Sequence, residues 1–555
     1  MFSSLLKKLS VFAWFLPGFL LWAAYPPMGE RADVLFALAP LLWLSRRAAD
    51  PKSSAKRWFQ SGLFYWVATL SWMPAIVKNG GPWFLVVLGW FALAAYCALY
   101  FAAYGWLSAI YWRWVRGEGG SSEPRAGRYL WRAIGLLLVE PVLWCGLELV
   151  RSRLLGGFAW NQLGVVAVNS GFGSPAAVGG VYLCSAVIVL INGTFAGIAE
   201  RMWKPEKSGF ANLRRLGILE TLAALSLVWS VYRAPGAPQA SSACLKVALI
   251  QRNFPCVFQE KEENPLAVYG RLLDRVSLFG PDLVILPESA MCEFGPIDHQ
   301  TAVRFAEGVS KKANGAALLA GGTRHGAGLT YNSAGLYVFG PASGVSALAP
   351  LSLQTYDKVH LVPFGEFIPG DRLVPALQKF APVGSCTPGE LKTLALRPSA
   401  ASDDIRLGVA ICFEDTDSRQ MRELAKKGAQ ALVFITNDSW FSRSIEAEQH
   451  AWQAVARAIE TGLPVVRVGN SGVTGTVGPD GKAVWLLGTD GRPLVDREGT
   501  MFDRVAVAPP LAARTLPPYV RFGDAPLAIA FALLMGALFV IKYAPSHEKR
   551  RSMSV

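Results

Sequence analysis

Metal-ligand patterns and nucleic-acid motifs are missing from this sequence. It has only five histidines, none at a metal-ligand spacing, and its eight cysteines include no CxxC pair. We therefore predict neither a metal nor another cofactor. The lysines and arginines behind the net charge of +14 do not gather in one basic domain, and no stretch matches a nucleic-acid-binding motif. We expect no nucleic-acid partner.

Charged residues are also scarce. They make up 17% of the chain, whereas soluble proteins have about 25%. Hydrophobic residues reach 52%, with 19 Trp and 30 Phe. This composition indicates that hydrocarbon is part of the solvent around the protein, and a length of 555 residues predicts two or more structural units.

Long apolar runs mark the predicted membrane part. Seven precede Pro235 and one follows Arg521, over residues 10–24, 33–44, 58–73, 83–111, 133–150, 175–199, 216–232 and 526–541. Several are shorter than the roughly 20 residues that cross a bilayer upright, so we expect their ends to extend into flanking aromatics. The first run lacks a small-residue cleavage site and is predicted to stay as a helix. The sequence thus predicts an α-helical bundle of eight transmembrane helices, seven in 1–234 and one in 522–555.

The distribution of basic residues predicts the orientation. Basic residues gather before the first run, after the second, fourth and sixth runs, and in the C-terminal tail, while the other short loops carry one or two each. Cytoplasmic loops are enriched in Lys and Arg, so we expect both termini in the cytoplasm. The segment 235–521 then lies across the membrane, which is the periplasm in a bacterium with an inner and an outer membrane.

The long segment 235–521 is predicted to be an α/β domain. Short apolar runs, typical of buried strands, cover 245–251, 282–286, 316–320, 405–411, 431–436 and 464–468. Helix-like stretches lie between them at 264–279, 301–314, 418–427 and 445–460. This alternation favours a layered α/β fold.

Three residues with reactive side chains follow or flank the predicted strands. Glu288 closes VILPE, Cys412 closes RLGVAIC, and Lys358 lies in TYDKVHLVPFGEFIP. A thiol activated by a carboxylate base, beside an ammonium that stabilises an oxyanion, runs acyl transfer through a thioester. From position alone, Cys412 could equally be a buried small residue, Glu288 a helix cap, and Lys358 a partner of Asp357 or Glu366.

The order of five sequence motifs in the segment 235–521 resembles that of a known superfamily. LPES, DKVHLVPFGEFIP, AICFED, TNDSWF and GNSGVTGTVGPDG follow one another as in the nitrilase (carbon–nitrogen hydrolase) superfamily. The resemblance implies a nitrilase-like αββα sandwich with a Glu-Lys-Cys triad. Together with the predicted spans, nearly the whole chain is similar to the apolipoprotein N-acyltransferase family. GFAWNQLG, after the fifth run, resembles that family's loop facing the catalytic domain.

Residue roles follow from this resemblance. It implies Glu288 as general base, Lys358 as oxyanion-stabilising ammonium and Cys412 as nucleophile. Glu366 and Glu414 match supporting family glutamates, and the backbone N–H of Phe413 is a candidate oxyanion donor, although many relatives have Tyr there. A further set could line the substrate pocket or be purely structural: Asn332, Trp440, Asn470 and Trp160.

Three smaller features of the sequence allow more than one interpretation. The family often has a Trp in the arm after the first strand, where this chain offers only Phe254 or Phe258. Disulfides joining Cys386 to Cys292 or Cys244 to Cys256 are conceivable in an oxidising compartment. His360 and His450 are interpreted as structural residues.

The resemblance implies an enzyme with two lipid substrates. A membrane phospholipid would donate an acyl chain to Cys412, and the α-amino group of a diacylglyceryl-modified apolipoprotein would accept it. We expect a monomer in the inner membrane. The alternatives are a membrane-tethered amidase acting on a small carbon–nitrogen substrate, and a transporter, for which Glu140 and Glu148 are the few ionisable candidates within the spans.

Overall fold

The computed structural model divides the chain into two compact units. It describes residues 15–118, 125–203, 243–255, 265–291, 299–341, 348–370, 385–398, 403–441 and 443–543. The first unit comprises Met1–Ser71, Val87–Pro235 and Phe522–Val555, and the second comprises Trp72–Val86 and Gly236–Arg521. A short segment from the N-terminal third of the chain thus belongs to the same unit as the predicted α/β domain.

The first unit is helical. Its helices, apart from the first residues of α4, which lie in the second unit, are Phe15–Ala23 (α1), Ala39–Arg46 (α2), Pro51–Thr69 (α3), Trp83–Val115 (α4), Arg125–Ile134 (α5), Glu140–Arg151 (α6), Gly164–Asn169 (α7), Ala176–Trp203 (α8) and Ala525–Tyr543, which is α15 in chain order. A π-helical turn at Gly135–Val139 joins α5 to α6. Within the described residues, four continuous helical stretches are long and apolar enough to cross a membrane: Trp83–Val115, Gly127–Arg151, Ala176–Glu200 and Ala525–Tyr543.

Two of the predicted spans differ from the structure. The run 33–44 is a 3-10 turn, Arg31–Leu35, followed by the eight-residue α2. Pro40 lies in the first turn of α2, because its ring and missing N–H are compatible with a helix start but not with an interior. Helix α3 begins before the run 58–73, since the Asp50 side chain caps it by accepting a hydrogen bond from the Ser53 N–H at 3.0 Å. The start of the run 10–24 and the whole of 216–232 lie outside the described residues.

Both glutamates of the predicted spans have partners inside the helical unit. Arg46 binds Glu140 through two hydrogen bonds of 3.0 and 2.6 Å, and Trp112 donates a third at 2.9 Å. Glu148 accepts hydrogen bonds from the Leu163 N–H at 2.8 Å and the Ser185 hydroxyl at 2.7 Å. A buried carboxylate needs such partners, and these contacts give the two glutamates structural roles.

The second unit contains two six-stranded sheets. Its strands are Cys244–Gln251 (β1), Leu283–Ile285 (β2), Ala317–Gly326 (β3), Leu329–Pro341 (β4), Leu348–Asp357 (β5), Thr393–Leu396 (β6), Ile405–Ile411 (β7), Ala431–Thr436 (β8), Val465–Gly469 (β9), Gly475–Val477 (β10), Ala483–Trp485 (β11) and Gly499–Ala506 (β12). The sheet orders are β12-β1-β2-β3-β4-β5 and β11-β10-β9-β8-β7-β6. In each sheet three neighbouring strands are parallel, β1-β2-β3 in one and β7-β8-β9 in the other.

Helices cover the outer faces of the sandwich. They are Pro265–Leu273 (α9), Val276–Phe279 (α10), His299–Lys312 (α11), Ser418–Lys426 (α12) and Glu446–Thr461 (α13), and Pro518–Phe522 (α14) follows β12. One apolar core joins the inner faces of the two sheets, including Leu249 and Ile285 opposite Val409 and Val433. A second core lies between the first sheet and helices α9 and α11. The layers are therefore αββα. The predicted strands and helices of this domain are confirmed, except that 264–279 forms two helices, α9 and α10, and the strand predicted at 316–320 continues to Gly326 as β3.

Candidate active site

Glu288 lies just beyond the carboxyl end of β2. The residue after it, Ser289, has φ +60°, a left-handed conformation that turns the chain sharply at this point. The side chain of Glu288 is buried, and its Oε1 accepts a hydrogen bond of 2.7 Å from the Asn332 amide. Burial raises the pKa of Glu288 above its ordinary value, while the nearby Lys358 opposes that rise.

Lys358 directly follows β5 and is almost fully buried, with 1% of its side chain exposed. Its Nζ lies 2.9 Å from Glu366 Oε1 and 3.7 Å from Glu288 Oε1. Burial lowers the pKa of this amine, but the two carboxylates outweigh burial and raise the pKa above its ordinary value. Lys358 therefore holds its charge as an ammonium between two glutamates.

Cys412 begins the turn after β7. It has φ +53°, a conformation that is rare for a residue with a side chain, and it opens the 3-10 turn Cys412–Thr416. The thiol is half-buried. Burial raises its pKa well above the usual value, Glu288 adds to the rise and Lys358 opposes it. The resting group is therefore a neutral thiol beside a carboxylate and an ammonium.

Glu366 and Glu414 fix the loop that carries Lys358. Glu366 binds the lysine, accepts a hydrogen bond of 2.7 Å from Asn332, and accepts another of 2.8 Å from the Val362 N–H. Glu414 accepts hydrogen bonds from the Tyr356 hydroxyl and from the N–H groups of Val359, His360 and Ile411, at 2.7 to 3.0 Å. This second set ties the turn that begins at Cys412 to the chain on both sides of Lys358.

The other candidates of this unit lie in the surrounding loops. The amide N–H groups of Asn332 donate to Glu288 and to Glu366, so they bridge the two glutamates and do not point into an open pocket. Asn470 exchanges hydrogen bonds of 3.0 and 2.7 Å with the backbone of Phe254 and donates one of 2.8 Å to Asn437. Phe413 packs edge-on against His360 at 5.6 Å between ring centroids. Trp440 is half-buried in the short turn Asp438–Phe441 that follows β8.

The remaining sequence candidates lie elsewhere or outside the described residues. Trp160 belongs to the helical unit, where it is buried and its carbonyl accepts a hydrogen bond of 2.8 Å from Arg151. Cys244 and Cys386 have free thiols. Their conceivable disulfide partners Cys256 and Cys292 lie outside the described residues, as does Phe258.

A buried charged network behind Cys412 was missed by the sequence analysis. His450 Nε2 lies 3.0 Å from Asp415 Oδ1, and its Nδ1 lies 3.0 Å from Asp438 Oδ1. Arg467 contacts both aspartates, and Glu446 approaches His450 at 3.4 Å. Burial lowers the pKa of His450, but the carboxylates outweigh this and raise it to about 10. The spacing of Glu446 and His450, four residues apart on one helix, was the available signal.

This network also resembles a metal-binding group. Asp438, Glu446 and His450 offer ligand atoms within 4.8 Å of one another. The chain supplies its own cations here, because Arg467 and protonated His450 balance the charges of Asp415 and Asp438. Burial raises the pKa of Glu446 well above its ordinary value, and the neighbouring Asp438 adds to the rise, so Glu446 adds no further negative charge. The residues present are neutralised without a metal ion.

Comparisons with known proteins match both parts of the chain. Residues 17–194 match the family described as apolipoprotein N-acyltransferase N-terminal domain, and residues 246–495 match the family described as carbon-nitrogen hydrolase. Among solved structures, a carbon-nitrogen hydrolase from Helicobacter pylori aligns with a TM-score of 0.34 at 18% identity, covering 47% of this chain and 89% of that one.

Curated relatives cover nearly the full length. The apolipoprotein N-acyltransferase of Methylococcus capsulatus is 30% identical over 554 residues, which cover 96% of this chain and 97% of the relative. That of Geobacter metallireducens is 31% identical over 476 residues, with 83% and 84% covered. The first alignment covers almost the whole chain, and the second exceeds 30% identity over more than two thirds of it. The chain therefore belongs to the apolipoprotein N-acyltransferase family.

Proposed function

We propose that this protein moves an acyl chain from a membrane phospholipid to the α-amino group of the N-terminal diacylglyceryl-cysteine of an apolipoprotein, through a thioester on Cys412. The observation that carries the proposal is the convergence of a thiol, a buried carboxylate and a buried ammonium at strand ends. Lys358 Nζ lies 3.7 Å from Glu288, and both charges act on the Cys412 thiol. No cofactor is needed for this chemistry.

In the first half-reaction Glu288 accepts the proton of the Cys412 thiol as the sulfur attacks the ester carbonyl carbon. The carbonyl oxygen becomes an oxyanion, which Lys358 and the backbone N–H of Phe413 stabilise. Collapse breaks the ester C–O bond, and the leaving glycerol oxygen takes the proton from Glu288. A thioester and a lysophospholipid result, with all protons accounted for.

In the second half-reaction the neutral α-amino group of the acceptor attacks the thioester carbonyl. Glu288 takes a proton from the attacking nitrogen, and the C–S bond breaks to leave an amide. The proton held by Glu288 then returns to the sulfur. The two substrates use the same centre in turn, which predicts ping-pong kinetics. Glu366 and Asn332 keep Glu288 and Lys358 in place through both steps.

The membrane arrangement is part of the proposal. We propose eight transmembrane helices in 1–234 and 522–555 and a catalytic domain in 235–521. Both termini face the cytoplasm and the catalytic domain faces the periplasm, with the chain working as a monomer in the inner membrane. The four long apolar helices of the described residues and the basic loops support this arrangement. Phe364, 67% exposed and two residues before Glu366, offers an apolar surface for an acyl chain.

Acyl-enzyme trapping tests the function. Purified protein is incubated with a phospholipid labelled in its acyl chain and then with a diacylglyceryl-cysteine peptide. We expect a hydroxylamine-labile label on Cys412 that moves to the peptide, and no label on Cys412→Ala. Absence of label on the wild type, or undiminished transfer by Cys412→Ala, would overturn the proposal. Hydrolysis of a small amide without phospholipid labelling would favour the amidase alternative.

A further inference from the structure

The segment Trp72–Val86 belongs to the same compact unit as the αββα sandwich. Its first half contains the 3-10 helix Met73–Asn79, which ends at Gly80 in the left-handed region, with φ +89°. The membrane helix α4 begins at Trp83, four residues after Asn79. A stretch at the start of a membrane helix is thus a structural part of the catalytic unit.

Asn79 makes the most specific contact of this segment. Its side chain is buried, with 2% exposed, and its Nδ2 donates hydrogen bonds to the carbonyl oxygens of Ser439 at 3.1 Å and Trp440 at 2.6 Å. Trp72 adds an edge-on contact with Phe441 at 4.6 Å between ring centroids. Two bonds to successive carbonyls fix the orientation of the two peptide planes on either side of the Trp440 Cα.

The turn Asp438–Phe441 lies close to the turn that carries Cys412. It follows β8, which runs parallel to β7 and pairs with it up to Ile435 and Ile411, so the turn begins beside the one that starts with Cys412. The charge of Asp438 contributes to raising the pKa of both Glu288 and Cys412, which places it within electrostatic reach of both. On its other side, the base of the turn is held by Asn470 through Asn437.

We propose that Asn79 is a positioning residue that sets the orientation of Trp440 as a wall for the acyl chain of the phospholipid donor. The inference rests on the proposed function, because it assigns a lipid to the same site. Asn79 acts through the backbone of the turn and touches neither the thiol nor the reacting carbonyl. Its loss changes how the lipid is held while the chemistry at Cys412 remains intact.

The test compares Asn79→Asp and Asn79→Ala with the wild type. Acylation is measured against phospholipid concentration in mixed micelles, and alkylation of Cys412 by iodoacetamide is followed on its peptide. We expect the apparent KM for phospholipid to rise about tenfold in Asn79→Asp, a factor worth about 1.4 kcal/mol, and less in Asn79→Ala. The introduced carboxyl repels the two carbonyls when ionised, so Asn79→Asp should recover as the pH falls and the carboxyl gains a proton to donate. Alkylation of Cys412 should change less than about twofold, because a small reagent does not need the wall.

Gln354→Glu is the matched control. Gln354 also holds a backbone carbonyl, because its side chain donates a hydrogen bond of 2.7 Å to the carbonyl oxygen of Ala395. Ala395 lies in β6 and pairs with Arg406 of β7, which is six residues before Cys412. Gln354→Glu should leave the phospholipid KM unchanged. An Asn79→Asp enzyme with wild-type KM, or with an alkylation rate that falls as far as acylation, would overturn the positioning role. A wild type that never acquires label from phospholipid would instead contradict the proposed function.

Discussion

At the scale of single residues, the site depends on keeping two carboxylates close to one ammonium. Glu288 and Glu366 each accept a hydrogen bond of 2.7 Å from the same amide nitrogen of Asn332, and Lys358 lies between them. The amide is neutral and donates in two directions, so it holds the glutamates together without adding negative charge. A group of the same shape with a negative charge would oppose this arrangement.

Asn332→Asp should therefore abolish most activity while preserving the shape of the side chain. A third carboxylate raises the pKa of Glu288 further, so that less of the base is deprotonated at neutral pH. We expect acylation of Cys412 to fall by about a hundredfold or more at pH 7, with partial recovery as the pH rises. The pH profile of acylation measures both effects.

Asn314→Asp serves as the control for that substitution. Asn314 donates a hydrogen bond of 2.9 Å to the Ser277 carbonyl from an exposed position after α11. Activity of this variant should match the wild type across the pH range. Equal losses in the two variants would show that the amide at Asn332 has no special role.

His450 should stabilise the fold in a pH-dependent way. Burial lowers the pKa of His450, but Asp415 and Asp438 outweigh burial and raise the pKa to about 10. The stabilisation by the charged imidazole is therefore fully present below the unfolded-state pKa of about 6.5. It is lost as the pH rises through about 10. We expect His450→Gln to lower the Tm by roughly 5 °C at pH 7. The difference in Tm should shrink at pH 10 and above, as measured by unfolding in detergent. A constant difference over that range would contradict the imidazolium assignment.

The residues differ in how far they could be predicted. The convergence of the three reactive groups was predictable, because each follows a strand end and lies in a recognisable sequence motif. They are Glu288, Lys358 and Cys412. His450 and Asn79 act through contacts with residues distant in sequence, Asp415 in one case and Trp440 in the other. Neither has a local pattern that specifies such a partner. Asn332 was a candidate for the substrate pocket or for a structural role, and only the structure shows its amide between two glutamates.

At the scale of elements, the chain that follows β2 closely approaches the middle of β3 where Glu288 leaves the sheet. Gly321 in β3 accepts a hydrogen bond of 2.8 Å from the Met291 N–H and donates one of 3.2 Å to the Pro287 carbonyl. A Cβ at this position would lie 2.6 Å from the Cα of Glu288. The glycine is needed for the close approach of two backbones.

Gly321→Ala should displace Glu288 and reduce acylation about tenfold or more, because small misplacements of a catalytic group cost large factors. Gly270→Ala is the matched change, since a Cβ there meets no atom within 4 Å and α9 gains helix propensity. We expect full activity in Gly270→Ala. The rate of labelling by phospholipid measures both, and wild-type activity in Gly321→Ala would show that the strand end can shift without consequence.

Strands could be predicted from the sequence where nearly all of their residues are buried. The buried strands β7 and β8 appear as continuous apolar runs, and their predicted bounds match the structure. Strand β5 was missed because its sequence, LAPLSLQTYD, mixes polar residues and a proline into an antiparallel strand at the end of its sheet. The run 33–44 is not one continuous helix, because Pro40 has to lie near a helix start, and the composition of the run does not show this.

At the scale of the whole molecule, the first and last strands of the sandwich are neighbours in one sheet. Strand β1 begins at Cys244, which pairs with Ala506 near the end of β12, and the apolar helix α15 begins at Ala525. A domain whose first and last strands are paired can be inserted between two membrane helices without disturbing its sheets. This is compatible with a catalytic domain that lies on one side of the membrane and is tied to it at both ends.

Thiol labelling in intact bacterial spheroplasts tests the proposed orientation. Cys244 is exposed at the start of the catalytic domain, and Lys52 is exposed in the basic stretch at the start of α3. If basic loops face the cytoplasm, a membrane-impermeant maleimide should label Cys244 in intact spheroplasts. The cysteine of Lys52→Cys should be labelled only after permeabilisation, which also proves that it is reactive. Labelling of Lys52→Cys from outside, or of Cys244 only after lysis, would reverse the orientation and place Cys412 on the cytoplasmic side.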